Sequence, residues 1–270
     1  MGLNLGSIDC DRVEVLGGHL YDYVSGVLPP RPIDRMDNFP YQTLRRLSIP
    51  LNIKRVDIRN FNLAYTEYYP PSGRDGTIYF DRVNGAIRNV INMPQYIPKG
   101  MWCTVTTRSH FMHSIPVRIS FGFDMNRYKT GAFSVDIRAG KIPGTVLDPV
   151  TEPLSFFVVK SGVVDSVSVH ISGNNDRANA VMKLLYHDLH ITTLKKQKQE
   201  PGDLKKKRLL NFIANTFVIK DENPHKKDPP RIASAEVHRE PSRSFFNFAW
   251  RAIRLALFQS VGVPDTFAPK

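Results

Sequence analysis

Cysteine is scarce in this chain of 270 residues: Cys10 and Cys103 are the only two, which excludes a disulfide framework and allows at most one bridge. Two free thiols is the commoner outcome of such a count. Long apolar runs are missing as well. No stretch approaches the roughly 20 apolar residues that span a bilayer, and the first fifteen residues carry neither the basic start nor the apolar core of a signal peptide. There is no Gly-x-Gly-x-x-Gly and no P-loop, so a nucleotide cradle is not indicated. Lys160-Ser161-Gly162 stands without the Ser-x-x-Lys and Ser-Asp-Asn partners of a penicillin-binding site and reads as a strand-end turn.

Metal-ligand spacing is equally thin. His187 and His190 flank Asp188, but on a regular strand a separation of three sends their side chains to opposite faces, so a shared metal would need a bulge. His110 and His113 would converge only in a turn. Acidic residues fall mostly at turns or on polar strand faces, where solvation is the plain reading. The expectation is therefore a protein that is not an enzyme, with no catalytic residue, metal or cofactor.

What the chain does have is alternation. Val117, Ile119, Phe121 and Phe123 face one way against Arg118, Ser120, Gly122 and Asp124, and Val163, Val167, Val169 and Ile171 form a second such dry face. Prolines (20) and glycines (17) punctuate short strand-like pieces with turns, and no βαβ rhythm appears. This predicts a mainly β fold: an antiparallel twisted sheet forming a groove or open β-body, closed by a C-terminal amphipathic helix. Four regions are expected: N-terminal strands and a Pro-rich connection over 1–50, the groove body over 51–194, a basic segment with a short apolar piece over 195–231, and a final strand and helix over 232–270.

Charge is lopsided, with 37 Lys+Arg against 25 Asp+Glu, a net +12. Residues 195–231 hold eleven basic and five acidic side chains, or half of that excess. Such a run is most often a solvated loop. Nucleic-acid binding would need aromatic side chains among Lys205, Lys206 and Lys207 and their neighbours for stacking, and none lies between Lys195 and Arg208. A helix is predicted over 244–258, capped by Ser242 or Ser244, with Gly262 beyond its end. Its apolar faces carry Phe245, Phe246 and Trp250, and Asn247, Arg251 and Arg254 make a narrow polar stripe. At about 22 Å it is too short for a hydrocarbon core of about 30 Å. It suits an interface with a membrane or partner, with the lysines adding attraction to anionic lipid, or it packs on the β-body.

Glu152-Pro153-Leu154, the Lys160-Ser161-Gly162 turn, Gly173, the run from Met182 to Leu189, the run from Ala214 to Ile219 and the run from Ser244 to Trp250 resemble the C-terminal region of the large AsmA-like envelope proteins of Bacteroidetes-type bacteria, within the bridge-like lipid-transfer superfamily. The resemblance spans about residues 51–261 and is strongest after Pro149. It implies a long β-groove lined by apolar side chains in the periplasm of a Gram-negative cell envelope, with phospholipid and a membrane surface or outer-membrane protein as partners. It also implies that the chain is the distal part of a longer protein whose membrane anchor lies upstream. Two other readings stand beside this one: a scaffold whose dry face is an ordinary closed core, and a basic nucleic-acid-binding module.

Overall fold

The computed structural model describes residues 6–24, 34–69, 73–155, 157–196, 212–215 and 220–262. Among them eleven strands form a single open sheet, mainly antiparallel. In chain order these are β1 (Ile8–Val24), β2 (Leu51–Tyr69), β3 (Arg74–Ile91), β4 (Trp102–Phe111), β5 (Ile115–Asp124), β6 (Phe133–Ala139), β7 (Ile142–Pro143), β8 (Phe157–Gly173), β9 (Arg177–Lys196), β10 (Phe212–Asn215) and β11 (Ile232–His238). The path runs β1-β2-β3-β4-β5-β6-β8-β9-β10, with β7 added to β8 and β11 to the first half of β9. Most strands pair antiparallel with a near neighbour in sequence, joined by a short turn where β4 meets β5 (112–114) and β8 meets β9 (174–176). The exception is β1, which pairs parallel with β2 from Ile8↔Leu51 to Val24↔Glu67. Parallel partners need a crossover, and part of the one here carries helix α1 (Pro40–Arg45).

Three strands turn a corner together. Gly17 (φ 70°) on β1, Asn60 (φ 53°) on β2 and Arg82 (φ 49°) on β3 are left-handed, a conformation that Gly and Asn tolerate best. Gly17 and Asn60 fall at the same register position, between Leu16↔Arg59 and Gly18↔Phe61. Side-chain amides stand in where the ladder breaks: Asn60 N–H donates to Asn84 Oδ1 at 3.1 Å and Arg82 N–H to Asn62 Oδ1 at 3.0 Å.

The corner brings the far arm back over helix α3 (Phe245–Val261). Phe245 packs on Phe133 of β6, while Asn247 in the same turn faces Tyr65 of β2. In a flat sheet β2 and β6 would lie about 19 Å apart, more than the width of a helix, about 10 to 12 Å. The sheet is therefore curled, with α3 inside the curl. Ser244 caps the helix, its hydroxyl accepting from Asn247 N–H at 3.2 Å, and Gly262 (φ 79°) ends it. A third helix, α2 (Asp148–Ser155), lies within the stretch expected to be the groove body and packs Val150 against Ile78 and Met112, with Trp250 of α3 alongside.

Candidate apolar trough

The ladder registers assemble the inner face residue by residue. Reading across the sheet, Val13, Val56, Ile87, Val105, Phe121, Val135, Ile171, Ala180 and Ala235 are consecutive partners on nine strands. The row beside it on the other face is Arg12, Arg55, Arg88, Thr104, Gly122, Ser134, Ser172, Asn179 and Glu236. One face is dry across its whole width and the other is wet, as strict period-two alternation requires.

Cover along the dry row is uneven. Val135, Ile171, Ala180 and Ala235 are buried in the core that includes α3. Val13, Val56, Ile87, Val105 and Phe121 are only half-buried. Phe39 and Tyr41, beside and within α1, stopper one end: Phe39 meets Phe133, Phe245 and Phe248 through ring contacts, the Arg239 guanidinium lies 5.0 Å from the Phe39 ring centre, and Tyr41 Oη donates to Ile91 O at 3.0 Å. Sequence reasoning missed this stopper because both residues fall in the stretch expected to be a Pro-rich connection.

Of the residues expected to line a groove, Val117, Phe123, Val169 and Ile171 are buried in the inner face, and Ile119, Phe121 and Val167 are half-buried there. Val163 differs. The register slips between Val164 and Ser166, so Val164 takes the inward place, while Asp165 faces outward and its carboxylate meets His187 Nδ1 at 2.9 Å. A second irregularity at Asp188 (φ 54°) has the bulge effect that a shared His187–His190 site would need. His190 Nδ1 instead sits 2.9 Å from Ser161 Oγ, and no group of three metal-type ligands occurs among the described residues.

The side chains expected at a membrane or partner separate. Phe245 is buried among Phe39, Phe121, Phe123 and Phe133, and Arg254 is buried too, because the curled sheet surrounds the helix. Arg251 donates to His238 O at 3.3 Å and pairs with Glu240 at 2.7 Å. Trp250 is half-buried, and only Phe246, at 52% exposure, faces largely outward. Lys205, Lys206 and Lys207 lie outside the described residues. No helix among the described residues is long and apolar enough to cross a membrane.

Titratable groups at the trough serve structure. Burial pushes the Cys103 thiol up to about 12, and burial with Glu67 nearby pushes the Tyr65 phenol up to about 12. Cys10 and Cys103 are both free thiols. On the wet face, Arg55 and then Arg12 hold the Asp57 carboxyl below its usual range despite its burial. The described residues of the trough offer contiguous apolar area. Comparison with protein-family models, with curated proteins and with solved structures gives no match.

Proposed function

We propose that this chain is a non-enzymatic β-trough module that shields phospholipid acyl chains, as part of an AsmA-like protein serving outer-membrane biogenesis in the periplasm. The observation that carries the reading is the unbroken apolar row from Val13 to Ala235, which is only half-buried from Val13 on β1 to Val105 on β4, before Phe121 meets Phe245 and Phe246 of α3. Hydrocarbon needs contiguous apolar area, worth about 25 cal/mol per Å² removed from water, and a wet outer face keeps such a module from collapsing on its neighbours. Among the described residues no strand pairs with the outer edge of β1, which fits an upstream part of the same protein adding strands to the trough, since Val13 and Val15 already place its floor at that edge.

Lipid extraction from purified protein and mass spectrometry test this. Co-purifying phospholipid is expected, and Ile87→Asp, in the half-covered floor, is expected to reduce it severalfold while the far-ultraviolet circular dichroism stays unchanged. A monodisperse preparation carrying no lipid would overturn the reading. One observation favours a scaffold instead: α3 already fills the other half of the trough with the chain's own Phe245, Phe248, Ala252 and Ala256. In that case Ile87→Asp would leave any trace of lipid unaltered.

A further inference from the structure

The outer face carries a cavity that the trough does not use. It is an open cleft of about 680 Å³ on the opposite side of the sheet from α3, crossing β6, β8 and β9, with Trp102 of β4 at one end. Its floor follows from the ladder: Ser134, Ser172 and Asn179 are consecutive outward partners, two strand spacings or about 10 Å from end to end. The smallest side chains in that row make a trench with hydroxyls on its floor. Trp102 walls one end; a Cβ placed on Gly122 would stand 3.0 Å from the Trp102 ring and 2.9 Å from Ser134 Oγ, so the ring lies against the notch that glycine leaves.

Two guanidinium groups complete the walls. Arg127 is 66% exposed and is tied by Nε to Asp124 at 2.7 Å. Arg177 is 61% exposed, makes no hydrogen bond through its side chain, and has its nearest carboxylate oxygen, on Glu236, 4.0 Å away. The cleft thus offers an aromatic ring at one end, at the other a guanidinium held only by a 4.0 Å ion pair with Glu236, and hydroxyl and amide groups between.

We propose that this cleft binds an anionic saccharide, one pyranose ring stacked on Trp102 and a carboxylate or phosphate held by Arg177. Each part matches one element of that ligand class. The apolar face of a sugar ring needs a flat aromatic surface. Its hydroxyls need neutral donors and acceptors such as Ser134, Ser172 and Asn179. A carboxylate or phosphate needs the two parallel donors that a guanidinium presents. The trench length suits about two rings, and the volume lies within the range of small-molecule sites, roughly 300–1,000 Å³. The site is distinct from the half-covered floor of the trough; among its lining residues Phe133 also belongs to the core around α3.

The test titrates the full chain with cellobiouronic acid, cellobiose, glucose 6-phosphate, glucose and sodium sulfate, following the Trp102 indole N–H signal by NMR, assigned by its loss in Trp102→Phe. Saturable shifts with the two acidic sugars, and about tenfold weaker ones with their neutral counterparts, are expected. Arg177→Gln should erase the difference between acidic and neutral sugars, and Trp102→Ala, followed by calorimetry, should abolish binding of both; Trp102→Phe should retain part of it. No saturable shift with any sugar overturns the proposal, as does sulfate binding as well as the acidic sugars, or a preference that survives Arg177→Gln.

Discussion

Tyr186 shows how a single polar atom can fasten a helix inside a sheet. Its hydroxyl lies within hydrogen-bond reach of Lys220 O (3.0 Å) and Ser260 O (3.3 Å) and accepts from Arg231 Nη2 (2.9 Å), joining β9 to the end of α3. Tyr186→Phe leaves these buried groups short of a partner, so a loss of about 1–3 kcal/mol is expected by urea denaturation; an unchanged midpoint would show the hydroxyl to be dispensable. The thiols make a second test at this scale. Cys103 is buried with its pKa pushed up to about 12, whereas Cys10 is partly exposed on β1. Ellman's reagent at mildly alkaline pH should therefore titrate one thiol in native protein and two after denaturation; two in the native state would contradict the burial. Asp124 gives the pH dependence. Burial raises its pKa, but the hydrogen bond from Arg127 Nε and those from the Arg127 and Asn126 backbone N–H groups outweigh it, and the net shift is downward. A folded pKa below the unfolded value means stability that is present above about pH 4 and lost as pH falls through the folded pKa. Asp124→Asn should cost stability at neutral pH, and the gap from wild type should close in acid; a gap that stays constant would assign the loss to geometry instead.

Strands were legible where their side chains alternate without interruption, as from Val117 to Asp124, and were misread where a bulge changes the count. The period-two pattern assigns Val163 inward, yet the slip before Ser166 gives that place to Val164. Pairing was less legible than strand identity: nothing in the alternation of β1 says that its partner β2 runs parallel, since that depends on a crossover rather than a turn. Proline concealed α2, because Pro149 and Pro153 both count against a helix; Pro149 sits in the first turn, where proline is tolerated, whereas Pro153 lies inside the helix. The helix near the C-terminus was legible by its caps, Ser244 and Gly262, but its surroundings were not, because a stripe of Asn247, Arg251 and Arg254 reads as a solvent face. The corner at Gly17 and Asn60 accounts for part of the difference, as it brings Tyr65 of β2 to Asn247, while Arg251 turns to His238 O and Glu240 beside β11. Gly17→Val would put a β-branched residue at φ 70°, and a cost of about 1–2 kcal/mol is expected by chemical denaturation; no cost would mean that β1 does not take part in the corner.

For the molecule as a whole, the central question is whether one continuous apolar surface can be core at one side and binding surface at the other. The row from Val13 to Ala235 is chemically uniform, so any difference along it must come from what covers it. Where α3 lies on it, Ile171 is fully buried and touches the cluster that includes Phe248 and Ala252. Beyond Ile87, Val56 belongs to the same row but to no buried cluster. Truncation measures cover directly, since the cost of removing methyl groups follows the packing lost. Ile171→Ala is expected to cost about 2–5 kcal/mol, and Val56→Ala under about 1 kcal/mol, by urea denaturation of lipid-free protein. Phospholipid on the open half would then raise the cost at Val56, because a ligand that binds only the folded state adds its binding energy to stability and the truncated floor would hold less of it. Equal costs at the two positions without lipid would mean that the row is sealed from edge to edge, which would leave the scaffold reading in place of the carrier.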